Sequence, residues 1–491
     1  MGYKVMNDQF LQTAESLKPQ LTSTEITLKN SDARPLKEGE SEVFDFGNHY
    51  VGYVSISFAS HGSHPDAPAL IKVTFGETLR DIEEDTSDYR SWISRGWLQE
   101  ETIHLDILPC TLALPRRYAF RYVKVEVIAV SSKYSLVINS LSARAVTSAP
   151  EEIELCGNTE RERDIDRVAL RTLSECMQDV FEDGPKRDRR LWLGDLRLQA
   201  LANYCTFAHN DLVKRCLYLF AATADDEGRI SACVFTEPQV APDDTFMFDY
   251  SLLFIPTLAE YYHATGDRAA AEELLPLALK QLDLAEKNMD NFVVRDSSVL
   301  GWCFLDWNLV LNKQAGAQAV YIYAAKAAAD LCRELGLDPS DCERRAKCAS
   351  DAAVEAFYDG TKGLFVSGKD GQVSYAANVW FVLAGVMTKE HNAAILKRVQ
   401  GYRDAIKPVT PYMYHYYVQA LIDSGLKDEA KAVMLSYWGA MLDVGADTFF
   451  ELFDPENPEA SPYGSRAANS YCHAWSCTPS YFARKYFCKR S

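Results

Sequence analysis

The chain has 491 residues, 47% of them apolar, enough for two domains and at least one sizeable core. With 51 Lys and Arg against 69 Asp and Glu its net charge is −18, an acidity that repels phosphate backbones and anionic lipid and argues against nucleic-acid or membrane partners. No run approaches the ~18 to 20 consecutive apolar residues that a bilayer span needs, and the start, Met1 to Asn7, lacks the basic and apolar regions of a secretory signal. The 13 cysteines are scattered through apolar helical stretches (Cys176, Cys205, Cys216, Cys332, Cys348) without CxxC pairs, and Cys472 and Cys477 do not resemble a zinc ligand set. Buried free thiols in a reducing, cytoplasmic setting are therefore expected, with neither disulfides nor a bound metal.

From about Ser41 to Val130 apolar residues recur at every second position, as in Tyr50-Val51-Gly52-Tyr53-Val54-Ser55-Ile56, Leu70 to Glu77 and Phe120 to Val127. Gly, Pro, Asp and Ser fill the gaps. This pattern predicts an antiparallel β-sandwich, with a first domain over residues 1–148. After Pro150 the period changes to about 3.6. Helices are predicted at Asp166–Phe181, Leu191–His209, Met247–Thr265, Arg268–Met289, Gln318–Leu335, Tyr375–Met387, Pro411–Ser424, Lys427–Met441 and Ala467–Phe487. About a dozen helices with short loops and no fixed repeat predict an (α/α)6 barrel over residues 149–491, a helical solenoid being the competing architecture.

The densest run of chemistry-bearing residues is Glu182-Asp183-Gly184-Pro185-Lys186-Arg187-Asp188-Arg189-Arg190-Leu191-Trp192-Leu193-Gly194-Asp195. Gly184-Pro185 forces a turn, so the run is a loop leading into a helix. A solvated charged loop is the competing reading, but it has no need of Trp192 or of Gly194-Asp195. A sugar site does: aromatic faces cover the C–H surface of a pyranose, while Asp and Arg hydrogen-bond hydroxyls in fixed directions. GxxxxGK[ST], GxGxxG and HExxH are all missing, which removes nucleotide-binding and zinc-protease readings, and no cofactor is expected.

This run resembles the signature of the α-L-rhamnosidases of glycoside hydrolase family 78, roughly Asp-Cys-Pro-x-Arg-Glu-Arg-Leu-Gly-Trp-x-Gly-Asp. Arg187, Trp192 and Asp195 follow Asp183 by four, nine and twelve positions. Phe44-Asp45-Phe46-Gly47, Phe75-Gly76-Glu77 and Phe120-Arg121-Tyr122-Val123 look like landmarks of the family's β-domain. Asp306-Trp307 resembles its Gly-Asp-Trp element, and Gly445-Ala446-Asp447-Thr448-Phe449-Phe450-Glu451 its late Thr-x-x-x-Glu segment, with His473 a further 22 residues on. Two departures stand out. Asp188 occupies the offset where the family has Glu, which shortens the reach by roughly 1.5 Å, and Gly184 replaces the motif's Cys. The chain also ends soon after its last helix, so the C-terminal β-domain that often follows the barrel is expected to be missing.

The resemblance implies an inverting glycoside hydrolase that removes terminal α-L-rhamnosyl residues, with Asp188 as general acid and Glu451 as general base, roughly 6.5–9.5 Å apart. Asp183, Arg187 and Asp195 would hold sugar hydroxyls, Trp192 and Trp307 would pack against the ring, and His473 and Asp249 are further candidates for substrate contact. Bland readings stand beside each of these. Asp188 could pair with neighbouring arginines, Glu451 could be a rim carboxylate, either Trp could be core, His473 could be structural and Asp249 could cap a helix. Another inverting hydrolase of different sugar specificity, or a silent glycan-binding protein, are the rival functions. The expected partner is a carbohydrate, and a homodimer is the one protein assembly allowed for.

Overall fold

The computed structural model describes residues 7–150 and 153–488. It opens with helix α1 (Asp8–Ser16) and then builds strands β1 (Thr22–Lys29), β2 (Ser41–Gly62), β3 (Ala69–Gly76), β4 (Glu100–Leu105), β5 (Cys110–Ala113), β6 (Tyr118–Ala129) and β7 (Tyr134–Thr147), with a short helix α2 (Leu79–Glu83) after β3. All pairings in this seven-stranded sheet are antiparallel, in the order β1-β7-β2-β6-β3-β4, with β5 added on β2. The alternation seen in the sequence has its cause here. Val54, Ile56 and Phe58 of β2, Val123, Val125 and Val127 of β6, and Ile71, Val73 and Phe75 of β3 point into one buried cluster. Residues 41–62 form one strand, in which the β2–β6 register slips between Asp45 and Tyr50, with Gly47 at φ 79°.

The remainder is helical: α3 (Glu160–Cys176), α4 (Leu193–Cys205), α5 (Asn210–Ala222), α6 (Phe248–Thr265), α7 (Arg268–Glu286), α8 (Gln314–Glu334), α9 (Ser340–Phe357), α10 (Tyr375–Leu383), α11 (Lys389–Gly401), α12 (Pro411–Asp423) and α13 (Lys427–Asp443). Together with the N-terminal sheet they give a multidomain α/β chain. Successive helices form hairpins, α6 with α7, α8 with α9, α10 with α11 and α12 with α13, while α4, α6, α8, α10 and α12 pack side by side in that order. The packing matches composition. The middle of α4, Leu193 to Asn203, and of α10, Ala376 to Val382, is buried on every side, whereas α9 buries only a stripe.

Three features depart from expectation. The segment Ala467–Phe487 is not one helix. It consists of tight turns at Arg466–Ala468 and Ala474–Ser476, a single turn at Pro479–Phe482 and a wide turn at Ala483–Phe487. Its amides are spent elsewhere: Tyr471 N–H donates to Glu77, His473 N–H to the Phe449 carbonyl and Ala474 N–H to the Asp183 carbonyl. Helix α1, although it precedes the sheet in the chain, packs on α5 of the helical body. Finally, Cys156 and Cys488 are disulfide-bonded, which corrects the expectation of thiols alone. The pair is 332 residues apart in sequence, so no spacing pattern announces it. Cys176, Cys216, Cys332 and Cys472 are buried free thiols, and Cys348 is a half-buried one.

Among the described residues no helix is long and apolar enough to cross a membrane.

Candidate active site

The charged run leaves α3 and folds back as a compact loop closed by its own carboxylate. Asp183 accepts the backbone N–H groups of Asp188 (3.1 Å) and Arg190 (3.0 Å). Gly184 is required because a Cβ there would meet the Arg187 carbonyl at 2.6 Å and the Ser470 hydroxyl at 2.8 Å. Gly194 is required because the Tyr250 ring lies against its Cα. Arg189 adopts φ 61°, a left-handed conformation that costs of order 1 kcal/mol for a non-glycine residue. It is held there by bonds from its guanidinium to the carbonyls of Pro185 (2.9 Å) and Arg117 (2.8 Å). This turns Arg189 toward the sheet, and burial, with Arg117 nearby, lowers its pKa to about 10. Arg190 lies over the Phe235 ring. Of the loop's arginines, only Arg187 contacts Asp188.

Arg187 joins the two expected catalytic carboxyls. Its Nη1 is 3.4 Å from Asp188 Oδ1, its Nη2 donates to Glu451 Oε2 at 2.6 Å and its Nε donates to the Ala468 carbonyl at 2.9 Å. The guanidinium also lies 4.2 Å from the Tyr463 ring centroid, and the Tyr463 hydroxyl donates to Glu451 Oε1. Two guanidinium nitrogens on one trigonal carbon are roughly 2.3 Å apart, given C–N bonds of about 1.33 Å. Asp188 Oδ1 and Glu451 Oε2 therefore cannot be more than about 8.3 Å apart.

Both carboxyls face one cavity of about 240 Å³. Asp183, Arg187, Trp192, Asp195, Trp307 and His473 line it too. Asp195, in the first turn of α4, is buried and its Oδ1 has no hydrogen-bond partner within the protein. Burial, with Asp183 and Glu451 nearby, raises its pKa well above the carboxylate range. His473 sits between Asp195 (3.6 Å) and Asp183 (3.9 Å) without a hydrogen bond to its Nδ1. Burial lowers its pKa to about 3, with Arg187 adding to the effect, so these contacts are not ion pairs and the imidazole is neutral. Burial, with Asp188 nearby, pushes Asp183 up to about 8. Trp192 stands edge-on to Tyr250, and Trp307 packs against Phe304 and Tyr463.

Asp249 does not line the cavity. Both of its oxygens accept backbone amides, from Phe304 and Leu305 (2.9 Å each), so it anchors the loop that carries Trp307 and does not cap its own helix. Tyr463, Trp475, Tyr250 and, from the sheet domain, Trp92 also line the cavity and were not singled out by the sequence. Trp475 stacks on Phe304, contacts His473 and donates to the Glu451 carbonyl. Its place two residues after His473 was the one available hint. A larger hollow of about 870 Å³, lined by Glu154, Tyr204, Glu260, His263 and Lys485 among others, lies away from this loop and contains neither Asp188 nor Glu451. Behind the loop, His49, Glu77 and Cys472 bring three ligand-type atoms within 4.8 Å of one another. Glu77 already faces the Lys186 ammonium at 3.6 Å, and the cluster is buried outside the cavity.

Family models match both parts of the chain. Residues 9–145 match the glycosyl hydrolase family 78 α-rhamnosidase N-terminal domain, and residues 156–486 match the bacterial α-L-rhamnosidase 6 hairpin glycosidase domain. The chain belongs to glycoside hydrolase family 78. Consistent with that, it is similar over 99% of its length to all of a rhamnosidase from Klebsiella oxytoca solved with rhamnose bound, at 46% identity and a TM-score of 0.93. The family 78 fold is shared more distantly with a rhamnosidase of Bacillus sp. GL1 (22% identity, TM-score 0.77) and with the α-L-rhamnosidase of Streptomyces avermitilis (19%, 0.70). These matches cover 92% and 95% of this chain but only 46% and 44% of theirs. No curated protein matches. Family 78 membership makes the chain a glycosidase acting on α-L-rhamnosyl residues.

Proposed function

We propose that this glycosidase removes a terminal α-L-rhamnosyl residue by single displacement with inversion, Asp188 acting as general acid and Glu451 as general base. The observation that carries the reading is Arg187. One guanidinium touches both carboxyls, which come from segments far apart in the chain and face one sugar-sized cavity. The upper bound of about 8.3 Å keeps the two carboxyls close enough to flank one glycosidic bond, as inversion requires. Asp188 donates its proton to the glycosidic oxygen as the C1–O bond breaks, and Glu451 takes a proton from the water that attacks C1 from the opposite face. Asp195 and His473, whose unpaired polar atoms are buried at the cavity, hydrogen-bond sugar hydroxyls. Trp192 and Trp307 form its walls, while Asp183 and Asp249 position the loops that carry them.

The unpaired and proton-retaining carboxyl of Asp195 favours a second reading, in which Asp195 is the acid. Leaving groups separate the two. Loss of a general acid spares a substrate whose leaving group needs no protonation. Asp188→Asn is expected to cut kcat/KM on methyl α-L-rhamnoside by roughly 10²–10⁴-fold, the usual worth of acid catalysis, and to leave the 2,4-dinitrophenyl glycoside within tenfold. That selectivity in Asp195→Asn instead would reassign the role. NMR of the first-formed rhamnose anomer tests inversion.

The architecture read for this function is a β-sandwich over residues 1–148, from which α1 departs to pack on the helical body, and an (α/α)6 barrel over 149–491. The side-by-side series α4 to α12, with the 474–476 turn packed against both α4 and α12, supports a closed inner ring. The buried free thiols favour a cytoplasmic setting and the Cys156–Cys488 disulfide argues against it, and sedimentation decides between a single chain and the homodimer.

A further inference from the structure

The catalytic cavity changes character from floor to mouth. Its floor is polar and buried: Asp183, Arg187, Asp195, Glu451 and His473 are each at most 5% exposed. Its lining also includes two tryptophans that stand in solvent, Trp92 at 66% and Trp302 at 64% exposure. Buried tryptophan is the ordinary case, and large exposed apolar surface beside a binding cleft marks something that covers it.

The two come from opposite parts of the molecule. Trp92 belongs to the segment between α2 and β4 in the sheet domain. Trp302 belongs to the loop before α8 in the helical body, where its carbonyl accepts the Phe248 amide at 2.8 Å. Trp92 is exposed but not free: its Nε1 donates to the Pro462 carbonyl at 3.3 Å, and its ring lies 5.2 Å from Tyr463 and 6.4 Å from Trp307. Tyr463 in turn touches Glu451 and Arg187, so the exposed indole is one contact removed from the reacting centre. An aromatic ring fixed in place and left uncovered costs little further ordering when a second ring settles on it.

A cavity of about 240 Å³ with a polar floor accommodates the one sugar that is released, so whatever that sugar is bonded to must sit outward, at the mouth. We propose that Trp92, with Trp302, forms the subsite for the leaving group and selects one that offers a flat apolar face next to the glycosidic oxygen. Either the C–H face of a second pyranose or an aromatic ring meets that description, since both stack on indole. The inference rests on the glycosidase reading of the same cavity and adds to it the sheet domain's part in choosing substrates.

The test compares each variant with the wild type on three α-L-rhamnosides: methyl, which has no ring; p-nitrophenyl, which is aromatic; and a rhamnosyl-glucose disaccharide. Trp92→Ala is expected to lower kcat/KM at least tenfold on one or both ring-bearing substrates. Methyl rhamnoside hydrolysis should fall at least about fivefold less than that of the affected ring-bearing substrate, and inhibition by free rhamnose, which occupies the floor alone, should stay within twofold and reports a misfolded variant. Trp92→Phe should recover most of the loss, and Trp302→Ala should share the pattern. The ring-bearing substrate that suffers identifies the leaving group. A uniform loss on all three substrates with unchanged rhamnose inhibition, or no loss on any, overturns the subsite alone. A wild type inactive on all three overturns the glycosidase reading, and the subsite falls with it.

Discussion

Arg187 and His473 show how single side chains set the chemistry of a crowded cavity. Arg187 spends its donors on Asp188, Glu451 and the Ala468 carbonyl, so Arg187→Lys, which replaces a planar fork by a point charge, should lower kcat by ten- to a hundredfold without unfolding the chain. Steady-state kinetics beside a melting curve checks this. His473 gives a signed pH dependence. Its folded pKa of about 3 lies below the unfolded value of about 6.5, so between those values the unfolded chain binds the extra proton. Its contribution is fully present above pH 6.5 and is lost as pH falls toward 3, by at most about 1.4 kcal/mol per pH unit. Asp183 works the other way: raised to about 8, it costs stability as pH rises from about 3.9 to 8. Between pH 4 and 6 the His473→Gln variant should therefore lose less stability on acidification than the wild type. Parallel slopes in calorimetry would contradict the assignment. At this scale the sequence was informative where the motif is dense. Asp188, Arg187, Trp192 and Asp195 stand out through the run's resemblance to the family signature, and all four line the cavity. Trp92 and Tyr463 do not stand out, because each reaches the site from an otherwise ordinary polar loop.

Among the elements, the sheet does more than precede the helices. Glu77, at the end of β3, accepts the Tyr471 amide at 2.6 Å and faces Lys186 and His49 at 3.6 and 3.4 Å, while Asp81 of α2 binds Lys186 at 3.0 Å. One buried ionic cluster thus holds the 183–190 loop and the 469–473 segment at the same time. Removing one partner of such a cluster costs about 3–5 kcal/mol, whereas removing a matched pair costs less. Glu77→Gln and Lys186→Met should each destabilise by that order, and the double variant by clearly less than their sum. A denaturant double-mutant cycle that proves additive would exclude the coupling. Periodicity located β2, β3, β6 and most helices within a few residues, because a two-residue or 3.6-residue apolar rhythm is written locally. The Ala467–Phe487 segment misled because its apolar content serves a cavity wall, and its amides bond to Asp183, Phe449 and Glu77 across the molecule.

For the molecule as a whole, the ties between sheet and helices mean that the helical body should not work alone. Arg117 makes a two-pronged bond to Glu182 (2.7 and 2.8 Å), and the His49 amide donates to Asp447 at 2.5 Å, adding to the Glu77 cluster. Expression of residues 149–491 alone should give a product at least roughly 100-fold less active, since a displacement of about 1 Å in catalytic groups costs that much. Full activity in that fragment would show the sheet to be a passive appendage.

The seat of α1 imposes an order of events on synthesis. Arg215 of α5 donates to the Ala14 carbonyl at 2.5 Å across 201 positions of sequence, and Phe10 packs edge-on against Tyr218. At ribosomal speeds of about 5–20 residues per second, the first helix emerges on the order of ten seconds or more before its landing place exists. The entire sheet is made in that interval. Phe10 and Leu11, which pack on the helical core, stay uncovered throughout, so the nascent chain carries a sticky helix face that only the helical body can retire.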